Sequence, residues 1–327
     1  MKDVTTEYYP SKQFKIKHIE EGTKEAWIGV FSINGWVPID KLVRKGGSFT
    51  LQSIEPNQIY QPLTYQHNRF LPCGYSFMPL SDGTVHYFIP NLKQTTSETL
   101  YRKHPITSYW KRRMQEMDGV TFFGSNSIHG EDKVLFCTSH TDSVFSRERL
   151  HSIDCHHTFR YLWIYPPQDK RLNIAEIEVV DRRTKQKLPL VSTPDTPKPM
   201  GGLYDYDIVK ATDGANITRY ESGSLSVPCV FDLEKLHEIA SILYVPCNDD
   251  NYIHPGQTYE LFYQNGAEGW KSLGCQTASS NHLLYKGIPR NALLWLHNHT
   301  TGVEEQVFLM KDGRQWFRYI SDSALCK

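Results

Sequence analysis

The chain has no excess of either charge. Its 327 residues carry 36 Lys and Arg against 36 Asp and Glu, a formal net charge of zero. Affinity for nucleic acid rests on phosphate contacts from a basic surplus, so no nucleic-acid partner is expected. Long apolar runs are missing too. A membrane helix needs about 20 apolar residues in succession, whereas Ala292-Leu293-Leu294-Trp295-Leu296 is strand-sized; no membrane span is expected. The seven cysteines (Cys73, Cys137, Cys155, Cys229, Cys247, Cys275 and Cys326) include no C-x-x-C pair, so neither a zinc knuckle nor a thioredoxin-type site is signalled. Their odd number and wide spacing fit unpaired thiols, which behave as small buried apolar groups. No G-x-x-x-x-G-K-[S/T] or G-x-G-x-x-G occurs to cradle a phosphate. The opening Met1-Lys2-Asp3-Val4-Thr5 has no apolar core of a signal peptide.

What the chain does have is aromatic side chains: 19 Tyr, 15 Phe and 7 Trp, 13% of the residues. Such residues favour strands, and any on the surface offer flat faces for stacking. Short aromatic or β-branched runs at 3–9, 14–18, 26–33, 48–54, 59–65, 75–80, 84–89 and 96–102 alternate with turn signals such as Asn34-Gly35, Gly46-Gly47 and Pro56-Asn57. Asp82-Gly83 predicts a tight hairpin. Eight short strands predict a small β-sandwich over residues 1–105. The texture then changes. Trp110, Met114 and Met117 recur at helical spacing between Ser108 and Gly119, predicting a linker helix within 106–118 with a Ser cap and a Gly stop. The adjacent Lys111-Arg112-Arg113 run reads as a solvated helix face. Strand patterns resume over 119–327, broken by a polar loop near 182–202. Tyr161-Leu162-Trp163-Ile164 and Leu293-Leu294-Trp295-Leu296 form a weak internal echo, which two similar hairpins in one sandwich or chance would equally produce. The fold class expected is therefore all-β.

Several motifs in the second half carry a resemblance. Asp213-Gly214-Ala215-Asn216-Ile217-Thr218, Phe231-Asp232-Leu233, Tyr259-Glu260-Leu261-Phe262-Tyr263 and Trp270-Lys271-Ser272-Leu273-Gly274 stand in that order. They resemble the discoidin (coagulation factor 5/8 type C) domain, a galactose-binding-like jelly roll. Glu234 replaces the usual Gly of D-L-G, and Tyr220 stands near the usual Trp. With Asn173-Ile174-Ala175-Glu176, Asn248-Asp249-Asp250-Asn251 and the opening Asp3-Val4-Thr5-Thr6-Glu7-Tyr8, the chain resembles the non-catalytic C-terminal region of bacterial secreted transglutaminase-like proteins, in which a small β-domain precedes a discoidin-like region. Cys73 departs from that pattern before Gly74-Tyr75. The resemblance implies an N-terminal β-sandwich followed by a jelly roll, an extracellular or periplasmic location, a monomer, and an accessory role. That role is carbohydrate binding or, alternatively, that of a structural spacer or remnant of a transglutaminase-like or glycoside-processing enzyme whose catalytic domain lies outside this chain.

The candidate chemistry is sparse. Cys155 lies among His151, His156 and His157, but sequence neighbours on a strand point to opposite faces, which speaks against a thiol–imidazole pair. Asp249, Asp250, Glu304 and Glu305 offer carboxylates, with nothing to pair them across a cleft as glycoside hydrolysis requires. No catalysis is expected. Ca²⁺ takes six to eight oxygen ligands, and the loop 213–218 concentrates such oxygens; the competing reading is a plain turn with Asp213 capping its own backbone. The family resemblance implies a structural calcium held by Asp213, Thr218 and Glu304 or Glu305. It also places sugar sites on loops at one end of the sandwich. Tyr204, Tyr206, Arg219, Tyr220, Asn248, Asp249, Asp250, Tyr252 and His254 are the loop residues that offer such a mix; of these, Arg219, Tyr220, Asn248, Asp250, Tyr252 and His254 are the candidate ligand-binding residues, with Tyr252 as an exposed stacking ring.

Overall fold

The computed structural model describes residues 13–32, 35–52, 54–140, 149–301 and 304–317. Among the described residues strand makes up 51% and helix 5%, so the all-β expectation holds. The strand expected at 3–9, Asn34 and Cys326 lie outside the described residues. The chain forms two compact units, Met1–Pro105 together with Asn251–Lys327, and Ile106–Asp250. The region 119–327 is thus divided at Asp250.

The unit Ile106–Asp250 is organised by one 18-residue strand, Cys229–Pro246. Its first part pairs with Thr158–Tyr165, placing Leu162 opposite Phe231 and Ile164 opposite Cys229. Its second part pairs with Asn173–Asp181, Ile177 opposite Tyr244 and Val179 opposite Ile242, and on its other edge with Arg149–Ser152. The pairing with Thr158–Tyr165 is interrupted after Asp232 and resumes at His237. Glu234, in that bulge, sits at φ +67°, a region a non-glycine residue enters only where its surroundings insist. Bulges re-aim strands, and here the same strand serves two sets of partners. Thr121–Ser125 and Val134–Thr138 extend the first set, and Tyr220–Glu221 flanks Asn173–Asp181.

The alternation of these strands sends Phe122, Leu162, Ile164, Ile177, Val179, Phe231, Ile242 and Tyr244 into one core. Each such burial contributes about 1.5–3 kcal/mol. Gly124 is held to glycine by contact: a Cβ there would lie 2.2 Å from Cζ of Phe136 and 2.6 Å from Cγ of Phe159. The helix is Ser108–Gln115, and Thr107 rather than Ser108 caps it, accepting from the Trp110 N–H at 3.1 Å. Met114 and Met117 enter the core, as the spacing predicts, and Gly119 adopts φ +83° beyond the last turn. Trp110 remains half-buried.

In the other unit, Trp27–Ser32 lies between Gly35–Lys41 and Gln61–Gln66, with Arg69–Pro72 at the edge. Ser48–Gln52 lies between Gln13–Ile16 and Val43–Lys45. The expected hairpin forms from Phe77–Pro79 and Val85–Tyr87. Gly83 at φ +97° closes its loop, and Asp82 accepts from the Thr84 N–H at 2.8 Å. Thr258–Gln264 lies in a five-stranded sheet ordered Trp270–Thr277, Thr258–Gln264, Leu294–Asn298, Val307–Lys311, Arg314–Phe317. Asn91–Leu100 pairs with Leu283–Arg290, so the last expected strand of the first hundred residues finds its partner almost two hundred residues away. The two segments of the internal echo fall in different units.

Candidate ligand-binding groove

Three segments of the unit Ile106–Asp250 form a groove of about 450 Å³, within the size range of small-ligand sites. The first turn of the helix presents Tyr109 and Trp110. The loop 204–206 presents Tyr204, Asp205 and Tyr206. The run into Tyr220–Glu221 presents Ile217, Thr218 and Arg219. Tyr204 is 73% exposed and Tyr109 45%, so two tyrosine rings of the groove face solvent. Asp207 anchors the loop by capping the short turn Ile208–Ala211, accepting from the Val209 N–H at 3.1 Å.

Arg219 is the centre of the groove. Its guanidinium carbon lies 4.8 Å from the Tyr206 ring centroid and 5.9 Å from that of Trp110, an arrangement that attracts a cation to two aromatic faces. It donates to the Tyr206 hydroxyl at 3.1 Å. Behind it lies a charge network. Glu221, buried, accepts from Arg113 and stands 3.8 Å from Nε of Arg219. Arg113 also pairs with Glu116 at 2.9 Å, and Glu116 accepts from Asn173 at 2.6 Å. Burial alone would lower the Arg113 pKa, but Glu116 and Glu221 outweigh it and hold the guanidinium above its ordinary value. Lys111 and Arg112 are exposed as expected, whereas Arg113 turns inward to this network.

Of the residues singled out in the sequence, Tyr204, Tyr206 and Arg219 line the groove, as does Thr218, which was expected as a calcium ligand. Tyr220 is fully buried, its hydroxyl donating to the Pro197 carbonyl at 2.8 Å, so its ring is core and not a stacking surface. Asn248 is buried as well. It donates to the carbonyls of Pro246 at 2.8 Å and Asn216 at 3.2 Å and accepts from the Asp250 N–H at 2.8 Å, which shapes its own loop; Asp250 sits at φ +55°. Tyr252 and His254 belong to the other unit. Tyr252 is 1% exposed with the Arg102 guanidinium 4.4 Å from its ring centroid; the expectation of an exposed ring there is corrected. A tyrosine in a polar run reads as a surface ring from sequence, but a neighbouring guanidinium covers it. His254 is half-buried and its N–H donates to the Tyr259 hydroxyl at 2.9 Å.

In the loop 213–218, Asp213 accepts from the Ala215 N–H at 2.9 Å and from the Thr218 hydroxyl at 2.9 Å, the geometry of a self-capped turn. The Gly214 N–H donates to Glu176 at 2.6 Å. Burial pushes the Glu176 carboxyl up, and that hydrogen bond partly offsets it. Glu304 is an exposed residue of the other unit, while its neighbour Glu305 is buried and accepts from Trp295 at 2.7 Å and the Asn298 N–H at 2.7 Å. Among the described residues no three His, Cys, Asp or Glu side chains converge as metal ligands.

The thiol and hydroxyl candidates lead elsewhere. His156 pairs with Glu238 at 2.7 Å and His151 stacks on Tyr244 at 5.6 Å, while Cys155 packs against the core. In the unit with the five-stranded sheet, Ser272 donates to Glu260 at 2.5 Å and His299 meets the same carboxylate at 2.8 Å. The serine engages the acid and not the imidazole, so this trio lacks the nucleophile–base contact of a hydrolase triad.

Sequence reasoning missed Tyr109, Trp110, Asp205 and Ile217 as groove residues. Trp110 carried a signal, its helical spacing with Met114 and Met117, but that spacing reads as core. No protein-family model matches the chain, and no curated protein or solved structure matches it; nothing among these comparisons identifies a discoidin domain or a transglutaminase-associated region.

Proposed function

We propose that this protein is a non-catalytic glycan-binding module and that the groove around Arg219 is its site. A sugar presents an apolar ring face beside several hydroxyls, so its site needs rings next to hydrogen-bonding groups. The observation that carries the reading is the exposure of Tyr204 and Tyr109 beside Arg219, Thr218 and Asp205 in one groove. Tyrosine is intermediate between core and surface, and here two open rings share one groove with a cation and a hydroxyl.

The finer reading of the fold as a discoidin-like jelly roll, and of the location as extracellular or periplasmic, belongs to the same proposal and rests on the motif resemblance. So does a structural calcium. Asp213 and Thr218 are oxygen donors in the loop that leads to Arg219, and the nearby Glu176 would be a better third ligand than Glu304. Calcium would brace this loop; melting the protein in calcium and in chelator tests it, and identical curves remove calcium from the proposal.

The test of the site itself is a glycan array followed by titration calorimetry on the best hit. Tyr204→Ala and Trp110→Ala should each weaken binding by about 1–2 kcal/mol, the scale of one lost stacking contact and its burial. Tyr204→Ala leaves the fold intact, since that ring is exposed. Full affinity in both variants would move the site away from this groove.

A further inference from the structure

Resting on that reading, the geometry points to a carboxylated saccharide as the groove's ligand, with a uronic-acid carboxylate on Arg219. Among the eight residues that line the groove, Arg219 is the one cation and Asp205 the one anion. Asp205 is already offset, since Lys210 lies 3.7 Å from its carboxylate. Arg219 is not. Glu221 is 3.8 Å from its Nε, beyond hydrogen-bond reach, and is engaged by Arg113. Nε is buried with no acceptor, and the one hydrogen bond the guanidinium makes among the described residues is to the Tyr206 hydroxyl. A guanidinium carries five N–H donors in a planar fork. With Nε buried and one Nη2 hydrogen on Tyr206, the donors left for a ligand are those of the terminal nitrogens, and the fork's position is held by Tyr206 and Trp110.

A neutral sugar would use those donors poorly. A carboxylate matches the fork with two parallel, charge-assisted hydrogen bonds, while its ring reaches the exposed faces of Tyr204 and Tyr109. Asp205 and the Thr218 hydroxyl then meet sugar hydroxyls on the rim.

The experiment compares three probes by calorimetry on the full chain: an oligogalacturonate, its methyl ester, and a neutral galacto-oligosaccharide of the same length. Esterification removes the charge and keeps the ring. The acid should bind about ten- to a hundredfold more tightly than the ester, the scale of charge-assisted hydrogen bonding, and the preference should shrink as salt is raised. Arg219→Gln should erase the preference, and Arg219→Lys should restore only part of it, because an ammonium keeps the charge and loses the fork. The acid-to-ester comparison on unaltered protein stands even where a variant folds poorly. Equal binding of acid and ester, with loss of both in Tyr204→Ala, overturns the carboxylate assignment and leaves the glycan site standing. Binding of no saccharide by the wild type, on these probes and on the array, overturns both.

Discussion

Glu221→Gln is the sharpest test of how the groove is held. The substitution keeps the side chain's shape and removes its charge. Glu221 is 4% exposed at the side chain, and its partner Arg113 is 15% exposed. Neutralising one member of a buried ion pair costs about 3–5 kcal/mol when nothing else compensates. Two features reduce that here. Glu116 stays 2.9 Å from the other arm of Arg113, and the glutamine carbonyl still accepts one hydrogen bond. Against this, the glutamine NH₂ turns a donor toward one of two guanidiniums. The expected loss is about 2–3 kcal/mol, or a fall in Tm of about 4–12 °C for a unit of roughly 150 residues. Urea unfolding followed by tryptophan fluorescence measures it, with the slope m unchanged if only stability moves. Glu116→Gln, at a side chain 27% exposed, should cost less than half as much. Replacing Arg113 and Glu221 together by methionine should recover part of the loss, because the main penalty is an uncompensated buried charge. A shift under about 0.5 kcal/mol in Glu221→Gln, the range of ordinary surface changes, would refute the argument that this network supports Arg219.

Three further outcomes follow from the structure. The Asp181 carboxyl is held down to about 2, chiefly by the Thr184 N–H, with His237, the Thr184 hydroxyl and the Arg183 N–H adding to it against the effect of burial. Its folded value lies below an unfolded value of about 3.9, so its stabilisation is complete above about pH 4 and lost as pH falls toward 2; Asp181→Asn should flatten the stability curve in that window, and a parallel curve would count against it. Burial pushes the thiols of Cys73 and Cys229 up to about 12 and those of Cys137 and Cys247 to about 11, so mass-spectrometric mapping of alkylation at pH 8 should find exposed Cys275 modified and these four protected. Early labelling of Cys229 in native buffer contradicts that. Gly124→Ala should destabilise its unit by about 1–3 kcal/mol through overpacking against Phe136 and Phe159, read as a lower urea midpoint; a neutral result means that the two rings yield freely.

Local chemistry was enough for some of this molecule. Aromatic or β-branched runs and turn residues located most of the strands near 14–102, because such side chains fit a pleated, half-buried surface. The hairpin at Asp82-Gly83 follows from a backbone conformation that glycine adopts without strain, whereas the helix ends earlier than the expected Gly119 stop, at Gln115 with Glu116 as its C-cap. Arg219, with Tyr204 and Tyr206, was legible as a binding candidate because such groups on a connecting run are not consumed by packing, while Thr218 reads only as a calcium ligand.

Strand partnership was decided elsewhere. Backbone groups carry no label, so nothing local in Asn91–Leu100 announces Leu283–Arg290 as its partner, and the division of the chain at Asp250 follows from such long-range pairings. The fate of the aromatic residues also depended on tertiary structure. Tyr220, Tyr252 and Tyr204 all read as loop rings in sequence, and Trp110 reads as core from its helical spacing. Tyr220 lies under the sheet and Tyr252 lies under Arg102, while Tyr204 stays in solvent and Trp110 half-covers a guanidinium. The sequence by itself determined that this chain would be built of strands rich in rings; which rings became core and which became surface was settled only when residues far apart in the chain met, since burial depends on what covers a side chain and not on the side chain alone.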